Sequence, residues 1–205
     1  MNCFQLGNQY RKERRKEGKK EMNSLNKDAK NYKAFDTLNE MMNDRGYSIV
    51  NDSKNSDYIL FKGEGKEDIG IFITTITKLC IKTLKEILSI TEEREMKHII
   101  IMYQESITPF VLKIINNIKN IKVEYFSVNE LQYNITKHSL QPIFEKLTKD
   151  EIKSIMVKIK NIEKLPIMFT VDPIARYYNY QKGDVIRVRR RDIVCYRYVD
   201  VDVVL

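Results

Sequence analysis

The sequence predicts an α+β fold, with a mixed α/β N-terminal part followed by a small α+β C-terminal domain. Three observations predict it. Apolar residues switch between helical and strand spacing through residues 33–125, in the order α-β-β-α-β-α-β. His98 to Tyr103 is apolar almost throughout, as in a strand buried on both faces. A second series of helix caps and short alternating segments then occupies residues 148–204.

In the first part, Phe35, Leu38 and Met42, with Met41 beside them, predict one apolar face of a helix over Lys33 to Asn43. Gly46 in Asp44-Arg45-Gly46-Tyr47 suits the left-handed residue that closes it. Asp57 to Phe61 and Ile69 to Ile76 predict two strands, joined by a charged loop holding Gly63 and Gly65. Ile81, Leu84 and Leu88 predict a helix containing Cys80, and Val111, Ile114, Ile115 and Ile118 another over Phe110 to Lys119. Ile121, Val123 and Tyr125 alternate as a half-exposed strand does. In the second part, Thr148 and Glu151 have capping-box spacing before Ile152, Ile155, Met156 and Ile159. Ile167, Phe169 and Val171 alternate as a strand. Asp172 then reads as an N-cap and Pro173 as the first residue of a helix that breaks at Asn179. Gly183 marks a turn, and Val185–Val188 and Tyr196–Val204 read as strands joined through Arg189-Arg190-Arg191-Asp192. The division expected is a basic, flexible extension over 1–31, a first domain over 32–133 and a second over 134–205.

Composition narrows the function. The chain has 205 residues, a formal net charge of +8 and 42% hydrophobic residues. The charge sits at the ends: net +5 over residues 1–20, −2 over 21–135 and +5 over 136–205. The N-terminal run reads either as a solvated tail or as one that touches phosphates or an acidic partner. No apolar stretch is long enough for a membrane span, and the basic start leaves no room for a secretory signal. Cys3, Cys80 and Cys195 are too few and too far apart for a disulfide framework or zinc module, so a reducing compartment is expected.

Catalytic machinery is hard to assemble from these residues. His98 opens a buried strand and reads as packed or hydrogen-bonded; His138 reads as structural. Gly63-Glu64-Gly65 lacks the helix and Lys-Ser pair of a phosphate loop. Cys80 reads as a core thiol, and Cys195, near Arg191 and Arg197, has no identifiable base. A nuclease would need carboxylates on the hairpin's second strand, and Ile71 to Ile76 has none. No cofactor or metal is expected.

The block Leu165-Pro166 … Asp172-Pro173-Ile174-Ala175-Arg176-Tyr177-Tyr178, followed by Gly183-Asp184-Val185-Ile186-Arg187-Val188 and Arg197-Tyr198, resembles the assembly domain of the fifth subunit shared by eukaryotic nuclear RNA polymerases, which has an archaeal relative. Asn134-Ile135-Thr136-Lys137-His138-Ser139-Leu140-Gln141-Pro142 is similar to the segment that opens that domain. Asp44-Arg45-Gly46-Tyr47 and Thr108-Pro109 extend a looser resemblance into the first half, as in the eukaryotic type. The chain departs from the family in its basic extension, in the short Tyr47–Asp57 segment, and in Val201-Asp202 where Tyr-Arg is usual. Its Ile, Lys and Asn content resembles a version from a large cytoplasmic DNA virus of the asfarvirus kind.

The resemblance implies a non-catalytic polymerase subunit. Its C-terminal assembly domain would dock on the largest subunit, and its N-terminal jaw domain would line the path of downstream DNA without reading sequence. Asp172, Pro173, Ala175, Arg176 and Tyr177 would carry docking. Asp172 and Pro173 would start the helix, while Arg176 and Tyr177 would point from it toward the partner; pairing of Arg176 with Asp172 or Asp184 is the alternative. Thr108 and Pro109 would lie near DNA, Pro109 also serving as the first residue of its helix. The location implied is the cytoplasm of an infected cell and the virion for a viral protein, or the nucleus for a cellular one. A competing reading is a free-standing nucleic-acid-binding protein using the basic tail with Arg187, Arg189, Arg190 and Arg191.

Overall fold

The computed structural model describes residues 28–50, 58–157, 161–191 and 193–201. The basic run with Cys3, most of the Tyr47–Asp57 segment, Ile159, Asp192 and the strand end from Asp202 lie outside the described residues. The chain divides into two compact units, one within residues 1–39 and 47–133, the other within 40–46 and 134–205.

Helix α1 covers residues 28–44. The expected extension to residue 31 is therefore too long: Asn31 Oδ1 already accepts from Gln104 Nε2 at 3.1 Å, and the Lys30 carbonyl from Gln132 Nε2 at 3.0 Å. The fully buried stripe is Ala34, Leu38, Met41 and Met42, and Phe35 is only half-buried. Gly46 closes the helix at φ 78°.

The first unit is built on a five-stranded mixed sheet. Its strands are β1 (Ser48–Ile49), β2 (Ile59–Lys62), β3 (Ile69–Ile73), β5 (His98–Tyr103) and β7 (Lys122–Ser127), adjacent in that order. The first three pair antiparallel; β3, β5 and β7 run parallel. Helix α2 (Ile81–Glu93) connects β3 to β5, and α3 (Pro109–Asn117) connects β5 to β7. Phe72, Ile99 and Ile101 pack with Leu84, Ile87, Val111 and Ile115 of the two helices. The alternate residues Ile71, Ile100 and Met102 are fully buried as well, which is why β5 reads as an unbroken apolar run. Strand β3 stops at Ile73 rather than continuing to Ile76. There the Thr74 amide and hydroxyl both donate to the Met102 carbonyl, at 2.9 and 3.1 Å. The chain also forms a parallel pair too short to read from sequence, β4 (Lys78–Leu79) with β6 (Ser106–Ile107).

The second unit contains β8 (Ile143–Lys146), α4 (Lys149–Met156), β9 (Ile167–Phe169), α5 (Pro173–Tyr178), β10 (Val185–Arg190) and β11 (Ile193–Asp200). The four strands are ordered β8-β10-β11-β9, with β9 parallel to β11. Strand β8 has no counterpart among the expected strands, and β11 starts three residues before Tyr196. Met168, Ile186, Val188 and Val199 form the core with Ile174, Ala175 and Tyr180. The alternation of β9 thus runs in the opposite phase to its apolar pattern. Met168 faces the core at 2% exposure, while Ile167, Phe169 and Val171 are 47, 43 and 58% exposed. The capping box of α4 is complete, yet none of its residues is fully buried, and Met156 and Val157 are exposed.

Candidate functional site

The expected docking helix α5 is short, six residues, and is held at both ends. Asp172 is its N-cap, accepting from the Ile174 amide at 2.8 Å, and Pro173 is its first residue. Asn179 closes it in the left-handed conformation at φ 57°. A short helix still leaves carbonyls without intrahelical partners at its C-terminus. Arg45 supplies partners: Nε donates to the Tyr177 carbonyl at 2.8 Å and Nη2 to the Arg176 carbonyl at 2.7 Å. This guanidinium is buried at 9% exposure, and its charge complements the negative end of the helix.

Tyr177 corrects an expectation. Its side chain does not point outward from α5; it is buried at 4% exposure. Its hydroxyl donates to Asp44 Oδ2 at 2.7 Å and accepts from Asn134 Nδ2 at 2.8 Å. Burial, then the bond to Asp44, push this phenol above its ordinary range. Asn134 also donates to Glu40 Oε2 at 2.9 Å, and its Oδ1 accepts from the Thr136 amide at 2.9 Å. Lys137 reaches Glu40 as well; Lys137 first, then Asn134, lower the Glu40 carboxyl. Asp44, Arg45, Asn134 and Tyr177 thus form one clasp around the end of α5. Ala175, fully buried, packs in the core beneath. Arg176 is half-buried. Asp184 pairs with Lys146 at 2.8 Å, and Asp172 caps the helix.

The sheet face away from the core is differently furnished. Residues paired in register share a face, so Glu145, Arg187, Tyr196, Tyr198 and Ile167 lie together there, with Phe169. Arg187 bonds Glu151 Oε1 at 2.8 Å and Glu145 Oε2 at 3.4 Å, and Arg189 also bonds Glu145. The Thr148 amide, then Arg187, hold the Glu151 carboxyl down to about 2. Two of the four arginines offered as a phosphate track are therefore already paired with carboxylates.

In the first unit, Thr108 is the N-cap residue of α3 and Pro109 its first residue. The pairing of Leu79 with Ile107 sets this helix start beside that of α2, whose N-cap is Cys80. Cys80 is therefore at the helix end, not inside it. Thr83 hydrogen-bonds its thiol and lowers it. Neither N-cap residue makes a side-chain capping bond, and neither first turn contains an acidic residue. Lys78, Lys82 and Lys113 are exposed in these same segments.

The other expected candidates are engaged locally. His98 is buried and bonds Glu124 Oε1 through Nε2 at 2.7 Å. His138 Nδ1 accepts from the Leu140 amide at 3.2 Å. Cys195 is exposed, with Sγ 3.7 Å from the Val188 carbonyl. Among the described residues, no group of three His, Cys, Asp or Glu side chains is placed to hold a metal ion. No helix among them is long and apolar enough to cross a membrane.

The chain is thus an α+β protein of two units, a four-stranded sheet with a doubly capped helix and a five-stranded mixed sheet with two adjacent helix starts. Comparison with known proteins gives its family. The family described as "RNA polymerase Rpb5, C-terminal domain" matches residues 133–199. A protein of Invertebrate iridescent virus 6, assigned as DNA-directed RNA polymerase subunit 454R, is 36% identical over 184 residues, covering 82% of this chain and 98% of that one. The subunit rpabc1 of DNA-directed RNA polymerases I, II and III from Dictyostelium discoideum is 30% identical over 179 residues, covering 80% and 91%. Subunit 5A of DNA-directed RNA polymerase V from Arabidopsis thaliana is 30% identical over 172 residues, covering 74% and 78%. The chain belongs to the RNA polymerase subunit 5 family.

Sequence reasoning missed Arg45 as a site residue. A buried arginine capping carbonyls 131 and 132 residues away has no local signal. Only the resemblance of Asp44-Arg45-Gly46-Tyr47 to the family marked it.

Proposed function

We propose that this chain is a non-catalytic subunit of a DNA-directed RNA polymerase, docking on the largest subunit through its C-terminal domain and lining the downstream DNA path with its N-terminal domain. The observation that carries docking is the phase of β9. A well-cored small sheet presents Ile167 and Phe169 outward, followed by Val171, beside α5 with Arg176. Exposed apolar side chains on a firmly held edge, with an arginine and tyrosines nearby, suit a partner. Asp172, Pro173, Ala175 and Tyr177 act on docking by fixing α5, and Arg176 is the contact residue among the five.

DNA contact through Thr108 and Pro109 is supported by the two adjacent helix starts. Amides at helix N-termini, unopposed by acidic residues, favour phosphate without reading bases. The relative from an iridescent virus supports a virus-encoded polymerase, working in the cytoplasm of an infected cell and carried in the virion.

The test is copurification of the tagged full-length chain from cells that make the polymerase. Stoichiometric recovery of the largest subunit through a high-salt wash is expected, and Phe169→Asp or Arg176→Ala should reduce it while leaving the circular dichroism spectrum unchanged. Release by salt, as phosphate contacts alone would give, favours the free-standing nucleic-acid binder and defeats docking. Thr108→Asp should weaken binding of duplex DNA by the assembled enzyme.

A further inference from the structure

The edge of the C-terminal sheet away from β9 holds a groove of about 610 Å³. Residues Ser139 to Ile143 form one wall, and Arg189, Arg190, Arg191 and Ile193 the other. Leu140, Ile143 and Ile193 are 77, 61 and 67% exposed. Arg189 shares Glu145 with Arg187, but among the described residues Arg190 and Arg191 meet no carboxylate. The groove therefore sets the exposed Arg190 and Arg191 beside exposed apolar residues.

Two further features point the same way. Strand β8 is the sheet edge, and no strand among the described residues pairs with its outer side, so its backbone groups on that side are available for pairing. Arg191, directly after the Arg190 that pairs with Ile193, sits at φ 50°, a conformation that favours Gly, Asn or Asp. The hairpin tip keeps an arginine there against its backbone preference.

We propose that this groove docks an extended acidic polypeptide segment, which adds to β8 as a fifth strand. Its apolar side chains cover Leu140, Ile143 and Ile193, and its carboxylates pair with Arg190 and Arg191. Charge complementarity selects an acidic occupant and excludes the chain's own basic run over 11–20. Nucleic acid fits less well. Among the described residues no aromatic side chain lines the groove for a base to stack on, and a phosphate backbone leaves the apolar wall uncovered. This surface is separate from the β9 and α5 side, so polymerase copurification and the measurement below fail independently.

The probe is a fluorescein-labelled octapeptide alternating Asp or Glu with Leu, Ile or Val, titrated with the full-length protein and read by anisotropy. Saturable binding is expected, weakened about tenfold by the double change Arg190→Glu, Arg191→Glu and also weakened by Leu140→Asp. Hydrogen exchange should slow across residues 140–146 when the peptide is bound. Absence of binding overturns the proposal. So does equal binding of an all-acidic peptide without apolar residues, or undiminished binding of the probe to the double variant. Displacement by a short duplex DNA that binds more tightly, with DNA affinity lost in the double variant, assigns the groove to nucleic acid instead.

Discussion

The two sheets of this protein solve burial differently. In the first unit β5 is covered on both faces, and Ile99, Ile100, Ile101 and Met102 are all fully buried. In the second unit only one face of the sheet is cored, and the other carries Arg187 and Arg189 paired with Glu145 and Glu151, with Ile167 and Phe169 open beside them. The first arrangement satisfies itself. The second leaves a furnished face whose apolar residues contribute little until something covers them.

The largest expected effect separates the two. Ile100→Ala should destabilise the first unit by about 2–5 kcal/mol, because the side chain is fully buried and its removal leaves a cavity. Urea unfolding measures this, and Phe169→Ala on the open face should cost less than roughly 1 kcal/mol in the same experiment. A loss at Phe169 equal to that at Ile100 would mean that the β9 face is already covered.

Next comes the clasp. Arg45→Ala leaves two carbonyls at the end of α5 without their buried donor, and a cost of about 2–3 kcal/mol is expected. Arg45→Lys should recover only part of it, since an ammonium cannot reproduce the forked geometry. Thermal or urea unfolding of the two variants checks both numbers.

Tyr177→Phe should cost about 1–2 kcal/mol, because Asp44 and Asn134 both lose a partner. The same hydroxyl gives a pH signature. Tyr177 and Tyr180 are both raised, chiefly by burial, so they keep their protons in the folded state where the unfolded chain has lost them. Their contribution is complete below pH about 10 and is lost as pH rises above it. Difference absorbance should show tyrosines that ionise only with alkaline unfolding, one fewer in the Phe variant.

The smallest effect belongs to the outer ion-pair ladder. Thr148→Ala removes half of the capping box and should cost about 1 kcal/mol. Glu151 lies at about 2 when folded, below its ordinary 4.5. Its contribution is therefore present above about pH 4.5 and disappears as acid approaches pH 2. Arg187→Ala should flatten that part of the acid-unfolding curve.

Local chemistry was legible in the sequence. The caps Thr148 and Asp172, the helix break at Asn179, the turn at Gly183, and the doubly buried β5 follow from residue types acting within a few positions. What failed was decided at longer range. Strand β8 exists because β10 pairs with it, and its sequence Ile143-Phe144-Glu145-Lys146 has no alternation to announce it. Met168 rather than its apolar neighbours faces the core because β11 sets the register of β9. Tyr177 turns inward because Asp44 and Asn134 await its hydroxyl there. The expected contact residue and the observed structural one differ by partners that no window of sequence contains.

The clasp also bears on how the protein is made. Arg45 leaves the ribosome 132 residues ahead of the Tyr177 carbonyl it will cap. At about 5–20 residues per second that is a wait on the order of ten seconds. Through it a guanidinium destined for burial stays hydrated, and the C-terminal unit cannot close before Tyr177 has emerged.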